Sequence, residues 1–231
     1  MHRSGTSALT GSLEQAGLVL GEVDTASPDN RKGNRESRRL MALHDDLLER
    51  NGGSWHTPPE RVQWAPVHRA MRDCYGDLFR ERTHWGFKDP RTLLVLTGWL
   101  DAFPDATLVG VFRDPLSVAR SLHDRNGIPV AKGLLLWLHY NRILLWHKNN
   151  TQNFTLLEFS DDAADVCMQF SAVAQQLGLN APAMTFFDDS MRHDLPEDIN
   201  NTDQIDKSLN QVRSLQSKLH AARALAQTPN P

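Results

Sequence analysis

Residues 107–112 read Thr-Leu-Val-Gly-Val-Phe, a continuous apolar run that stops at Arg113-Asp114-Pro115. A strand that alternates polar and apolar residues has one buried face, whereas a strand that is apolar throughout is buried on both. Helices flanking a parallel sheet cover both faces, so this run sets an α/β fold with a three-layer parallel sheet as the expectation.

The rest of the chain alternates accordingly. Apolar spacing predicts helices over residues 6–16, 35–50 and 66–82, then one built on Leu93, Leu96, Trp99 and Leu100. Further helices are expected from Pro115 through Leu122, over 131–148 and over 163–177, with strands at 18–20, 85–88, 107–112 and 154–159. Residues 22–34 are polar, carry Pro28, Asn30 and Gly33, and read as a loop.

From Pro196 the composition turns polar, so residues 1–195 are read as the α/β domain and 196–231 as a C-terminal helix and tail. Ile205, Leu209, Val212, Leu215, Leu219 and Ala222 recur there at helical spacing and predict an amphipathic helix. The repeat is short, which favours a helix docked on its own domain; a homodimer through this helix is the alternative.

Composition narrows the function classes. The 231 residues are 40% hydrophobic and carry a net charge of −3, which suits a folded protein and argues against nucleic acid or an anionic membrane as general partner. Cys74 and Cys167 cannot build a disulfide framework or a Cys-rich zinc site. There is no HExxH or CxxC, and the histidines are scattered, so no metal is expected. His44, His56, His139 and His147 read as surface or core-edge residues. No run approaches the roughly 18 apolar residues of a membrane span, and Met1 to Ser7 is no signal-peptide core, so the expected location is cytoplasmic.

Three short motifs carry chemistry. Arg3-Ser4-Gly5-Thr6-Ser7 directly precedes a helix; small residues allow close backbone approach, and helix N-terminal amides with the Thr6 and Ser7 hydroxyls favour an anion. Arg113 stands at the end of the predicted central strand, where open α/β sheets bind ligands, and Ser121 follows two helical turns later. Lys88-Asp89-Pro90-Arg91 is a third strand-end turn and offers a mobile ammonium. Taken singly, a capped helix, an Arg-Asp ion pair and a solvated turn account for them equally well or better.

Taken together and in order, these motifs resemble the sulfotransferases that use 3′-phosphoadenosine 5′-phosphosulfate (PAPS). Arg3 to Ser7 resembles that family's 5′-phosphosulfate loop, Arg113 with Ser121 its 3′-phosphate motif, and Lys88-Asp89-Pro90 the segment whose lysine faces the transferred sulfuryl group. Asn30-Arg31-Lys32-Gly33 followed by Glu36 resembles a segment of bacterial members. The likeness covers about residues 1–180. It implies a P-loop-like sulfotransferase fold and PAPS as co-substrate, with PAP as product. The acceptor it implies is a hydroxyl-bearing small molecule or saccharide.

Departures accompany it. The family places a hydrophobic strand before the phosphate loop, whereas Met1 already lies inside the motif; the expectation is a fold lacking that first strand. The glycine-rich adenosine-side loop is not evident in the C-terminal third. Pro90 stands where one branch of the family has its histidine base, so the resemblance turns to a carboxylate: Glu36 first, Glu22 and Asp24 next. An acidic residue opening a helix also complements the helix dipole, which accounts for Glu36 without catalysis.

Arg31, Lys32, Arg35, Arg38 and Arg39 form a basic cluster, read as a solvated face or as an attraction for an acidic acceptor. Trp55, Trp64 and Trp85 offer sugar-stacking faces but suit a core better. Two other function classes stay open: a noncatalytic or truncated nucleotide-binding or assembly protein of the same fold, and a P-loop kinase.

Overall fold

A computed structural model describes residues 1–26, 33–180 and 203–225. It is a mixed α/β structure, mostly helical, with a two-stranded parallel sheet among the described residues. The chain divides into two compact units. One gathers Met1–Thr6, Thr107–Gln169 and the C-terminal helix; the other gathers Ser7–Ala106 and the described residues 170–180.

In the first unit, β1 (Leu108–Phe112) pairs in parallel with β2 (Phe154–Glu158), from Leu108 opposite Phe154 to Phe112 opposite Glu158. Helices α5 (Pro115–Asn126) and α6 (Val130–Asn150) supply the crossover between them, as a parallel pair requires. The Arg113-Asp114-Pro115 turn has a local cause. Asp114 is the N-cap of α5, its carboxylate accepting from the Ser117 backbone N–H at 2.8 Å, and Pro115 fills the first helical position. Gly133 of α6 lies against the Ala119 backbone of α5; a Cβ there would collide with it, so glycine sets how closely the two helices cross. Helix α8 (Asp203–Leu225) packs on α6 and β2 through Val212, Leu215, Leu219 and Ala222, all buried. The repeat thus covers an apolar face of its own unit. Arg223 ties it further, donating to Glu158 at 2.7 Å and to both Asp165 oxygens at 3.0 Å.

In the second unit, α1 (Thr6–Gln15) contributes Leu9 and Leu13, and α2 (Arg38–Arg50) contributes Leu40, Leu43, Leu47 and Leu48. Helices α3 (Pro66–Asp77) and α4 (Thr92–Ala102) close a core rich in aromatic rings. Trp85 stacks on Phe79 at 4.7 Å, Trp99 meets Phe87 at 4.4 Å, and Trp64 meets Trp99 edge-on. Trp64 is therefore a core ring; Trp85 and Trp55 are half-buried, and Trp55 meets His56 edge-on. The strands expected at 18–20 and 85–88 reduce to one parallel bridge, Val19 to Trp85. Helix α7 (Ala163–Gln176) follows β2.

No helix of the described residues is long and apolar enough to cross a membrane. Asn30, Arg31, Lys32 and the start of the polar C-terminal segment at Pro196 lie outside the described residues.

Candidate functional site

In the first unit the loop before α1 comes together with the end of β1 and with α5. Arg3 adopts a left-handed backbone (φ 64°), and its Nε donates to Ser121 Oγ at 2.7 Å across 118 residues. Arg3 and Ser121, which the resemblance assigns to opposite ends of one ligand, therefore meet directly. Gly5 has φ 81°, and a Cβ on it would overlap the Phe159 ring just past β2. Glycine is required there on both counts. The Arg113 guanidinium lies 5.5 Å from the centre of the same ring, at cation–π range, and the Arg113 carbonyl accepts from Trp137 Nε1 at 2.9 Å. Ser4 is fully buried and its Oγ has no hydrogen-bond partner among the described residues. Thr6 begins α1.

In the second unit Lys88 is the centre. Its Nζ donates to Glu36 Oε1 at 2.5 Å, to the Asn34 carbonyl at 2.9 Å and to Ser7 Oγ at 3.1 Å. Ser7 in turn donates to the Asn34 carbonyl at 3.2 Å. Lys88 and Glu36 side chains are about nine-tenths buried, at 10% and 9% exposure. Burial pushes the Lys88 ammonium below the ordinary lysine value, and the Glu36 carboxylate only partly offsets this.

The two other carboxylates considered as bases sit differently. Glu22 is exposed and, among the described residues, pairs with Arg39 at 3.9 Å. Asp24 lies beside Glu36 along the backbone, its N–H donating to the Glu36 carbonyl at 3.1 Å, but its carboxylate accepts from Arg38 at 3.3 Å. Arg35 pairs with Glu14 at 2.5 Å. The described members of the basic cluster, Arg35, Arg38 and Arg39, thus each face a carboxylate.

His44, expected at the surface or core edge, is a correction. It is fully buried on α2 and contacts Asp89, Lys88's neighbour in the turn. The signal was present: His44 falls inside the apolar stripe of Leu40, Leu43, Leu47 and Leu48, where a polar residue must find a partner. Sequence reasoning missed Asn34 and Phe159. Asn34 acts through its backbone carbonyl, which no residue type announces.

Chemically, the first unit presents cations and a loop with a buried, unspent hydroxyl, suited to anionic oxygens. The second presents an ammonium against a carboxylate, suited to moving a proton beside a developing negative charge. The chain matches no family model, no curated protein and no solved structure.

Proposed function

We propose that the chain is a sulfotransferase of the P-loop-like, parallel-sheet kind. It moves a sulfuryl group from PAPS to a hydroxyl acceptor, a carbohydrate or small metabolite. The observation that carries this reading is the contact between Lys88 and Glu36, at 2.5 Å and little exposed. The reaction needs a cation and a base, and these residues meet although 52 positions separate them in sequence.

Sulfuryl transfer resembles phosphoryl transfer, an in-line displacement through a loose transition state that depends on positioning and charge stabilisation. Glu36 takes the proton of the acceptor hydroxyl as the new S–O bond forms. Lys88 donates to the bridging oxygen as the old S–O bond breaks, releasing PAP. The loop Arg3, Ser4, Gly5, Thr6 and Ser7 holds the 5′-phosphosulfate. Arg113 and Ser121 hold the 3′-phosphate, which ATP lacks. The residues fit such a ligand: the Ser4 hydroxyl has no other use among the described residues, and Gly5 leaves no side chain in the way.

Calorimetric titration with PAP and with ATP tests the reading. PAP should bind, ATP should bind far more weakly, and Arg113→Ala should abolish the difference. ATP binding with hydrolysis and no preference for PAP would favour a kinase; PAP binding without transfer to any hydroxyl acceptor would favour a noncatalytic nucleotide binder.

A further inference from the structure

His44 and Asp89 both have side-chain exposure of 0%, an uncommon place for two titratable groups unless each is paired. Trp99 Nε1 donates to His44 Nε2 at 2.9 Å. That acceptor role leaves the imidazole proton on Nδ1, which donates to Asp89 Oδ2 at 2.9 Å. Asp89 Oδ1 accepts from the Arg91 backbone N–H at 2.9 Å and from Arg91 Nη1 at 3.0 Å. Arg91 Nε donates to Asp45 Oδ1 at 2.6 Å. One carboxylate thus gathers α2, through His44, and the turn that carries Lys88; α4 joins through Trp99.

A leucine at position 44 would continue the apolar stripe and serve a plain core at less desolvation cost. What the imidazole adds is direction. Lys88 and Asp89 are adjacent, so anchoring the Asp89 carboxylate fixes how Lys88 leaves the turn. Glu36 lies two residues before α2, the helix that bears His44. The His44–Asp89 contact therefore holds in register the two segments that carry Lys88 and Glu36.

We propose that His44 is the positioning residue for Lys88, its Nδ1–H clamped on Asp89 so that the ammonium meets Glu36. The inference rests on the reading of Lys88 and Glu36 as the working pair, but its test does not require transfer activity. Among the described residues, Glu36, which Lys88 touches, and Asp89 and Arg91 carry charges that act on Lys88.

Two substitutions separate positioning from packing. His44→Asn keeps an N–H near Nδ1, whereas His44→Gln reaches toward Nε2 and leaves Asp89 without its donor. The readout is NMR of the full chain with labelled lysine side chains, Lys88→Met assigning the signal. In the wild type and His44→Asn, the Lys88 signal should titrate below ordinary lysines. In His44→Gln it should move to the position and titration of an exposed lysine. Leu47→Ala, on the same helix, controls for lost stability and should lower Tm without moving the signal.

If His44→Gln lowers Tm and leaves the Lys88 signal as Leu47→Ala does, the positioning role is overturned. If His44→Gln does not fold, Trp99→Phe removes the N–H that fixes the tautomer and should shift or split the Lys88 signal; an unchanged signal overturns the proposal. With PAPS and an acceptor, His44→Gln should lower kcat by about 10²-fold at constant KM for PAPS, and His44→Asn should restore most of it. A wild type without transfer activity would remove the proposed function, while the lysine signal would still decide the role of His44.

Discussion

Lys88 Nζ stands 2.5 Å from Glu36 Oε1, with the Asn34 carbonyl and Ser7 Oγ as its other acceptors. A base that takes a proton only in the transition state affects rate and not nucleotide affinity. Glu36→Gln should therefore lower transfer by about 10²–10⁴-fold and leave PAP binding within a few-fold, checked by calorimetry beside a PAPS transfer assay. Near-wild-type transfer would remove Glu36 from the reaction and return attention to Asp24, its backbone partner.

The Arg3–Ser121 hydrogen bond makes a second, independent prediction. In the proposed site the Ser121 hydroxyl also meets the 3′-phosphate, so Ser121→Ala removes one hydrogen bond to a charged ligand group, worth about 1.5–3 kcal/mol, while its half-buried bond to Arg3 adds little to stability. PAP affinity should fall about 10-fold, the lower end of that range, with little change in Tm. A fall in Tm at unchanged PAP affinity would mean that the bond serves the fold alone.

Much of this was legible because periodicity reports burial. The run at 107–112 holds the strand Leu108–Phe112, the leucines of α2 do face inward, and Val212, Leu215, Leu219 and Ala222 of the α8 repeat do cover an apolar face. Periodicity does not report how many neighbours a strand has. Residues 18–20 and 85–88 are apolar enough for strands, yet the Val19 N–H donates to His84, Gly86 donates to Val19, and the ladder ends there. Trp85 instead spends its side chain on a stack with Phe79. Of the candidate site, Lys88, Glu36, Arg3 and Ser121 were readable as residue types. Their pairings were not, because a sequence does not state which side chains the chain reversals bring together.

Gly5 makes a steric prediction. Its φ of 81° lies in the left-handed region, and a methyl group would strike the Phe159 ring. Gly5→Ala should cost about 1–3 kcal/mol, the usual range for a residue forced into a sparsely populated backbone region. Denaturant unfolding measures this, and Phe159→Ala in the same chain should recover the steric part but not the backbone part. Full stability in Gly5→Ala alone would show that the loop can move away from Phe159.

Asp89 predicts the pH response. Burial pushes its carboxyl up, but the His44 hydrogen bond together with the Arg91 guanidinium and backbone N–H outweighs this and holds it well below the ordinary 3.8. A carboxylate depressed in the folded state contributes stability that is fully present above its unfolded value and is lost as pH falls toward the folded one. Asp89→Asn should therefore be clearly destabilised at pH 7. Its deficit against the wild type should shrink as pH drops below 3.8. Urea unfolding from pH 7 to pH 2.5 reads the difference, and a deficit constant across that range would contradict the assignment.

Leu219 tests whether α8 belongs to its own chain. It is fully buried on the helix that packs against α6 and β2, whereas its neighbour Lys218 is exposed. Leu219→Ala should cost about 2–5 kcal/mol, the range for emptying a buried leucine site, and Lys218→Ala should stay within about 0.5 kcal/mol of the wild type. If the face is filled within one chain, the urea midpoint is independent of protein concentration. A helix that gains its cover from a second copy would give a midpoint that rises with concentration, because association stabilises by mass action. A concentration series on the wild type and Leu219→Ala separates the two, and a rising midpoint that Leu219→Ala abolishes would assign this face to the dimer.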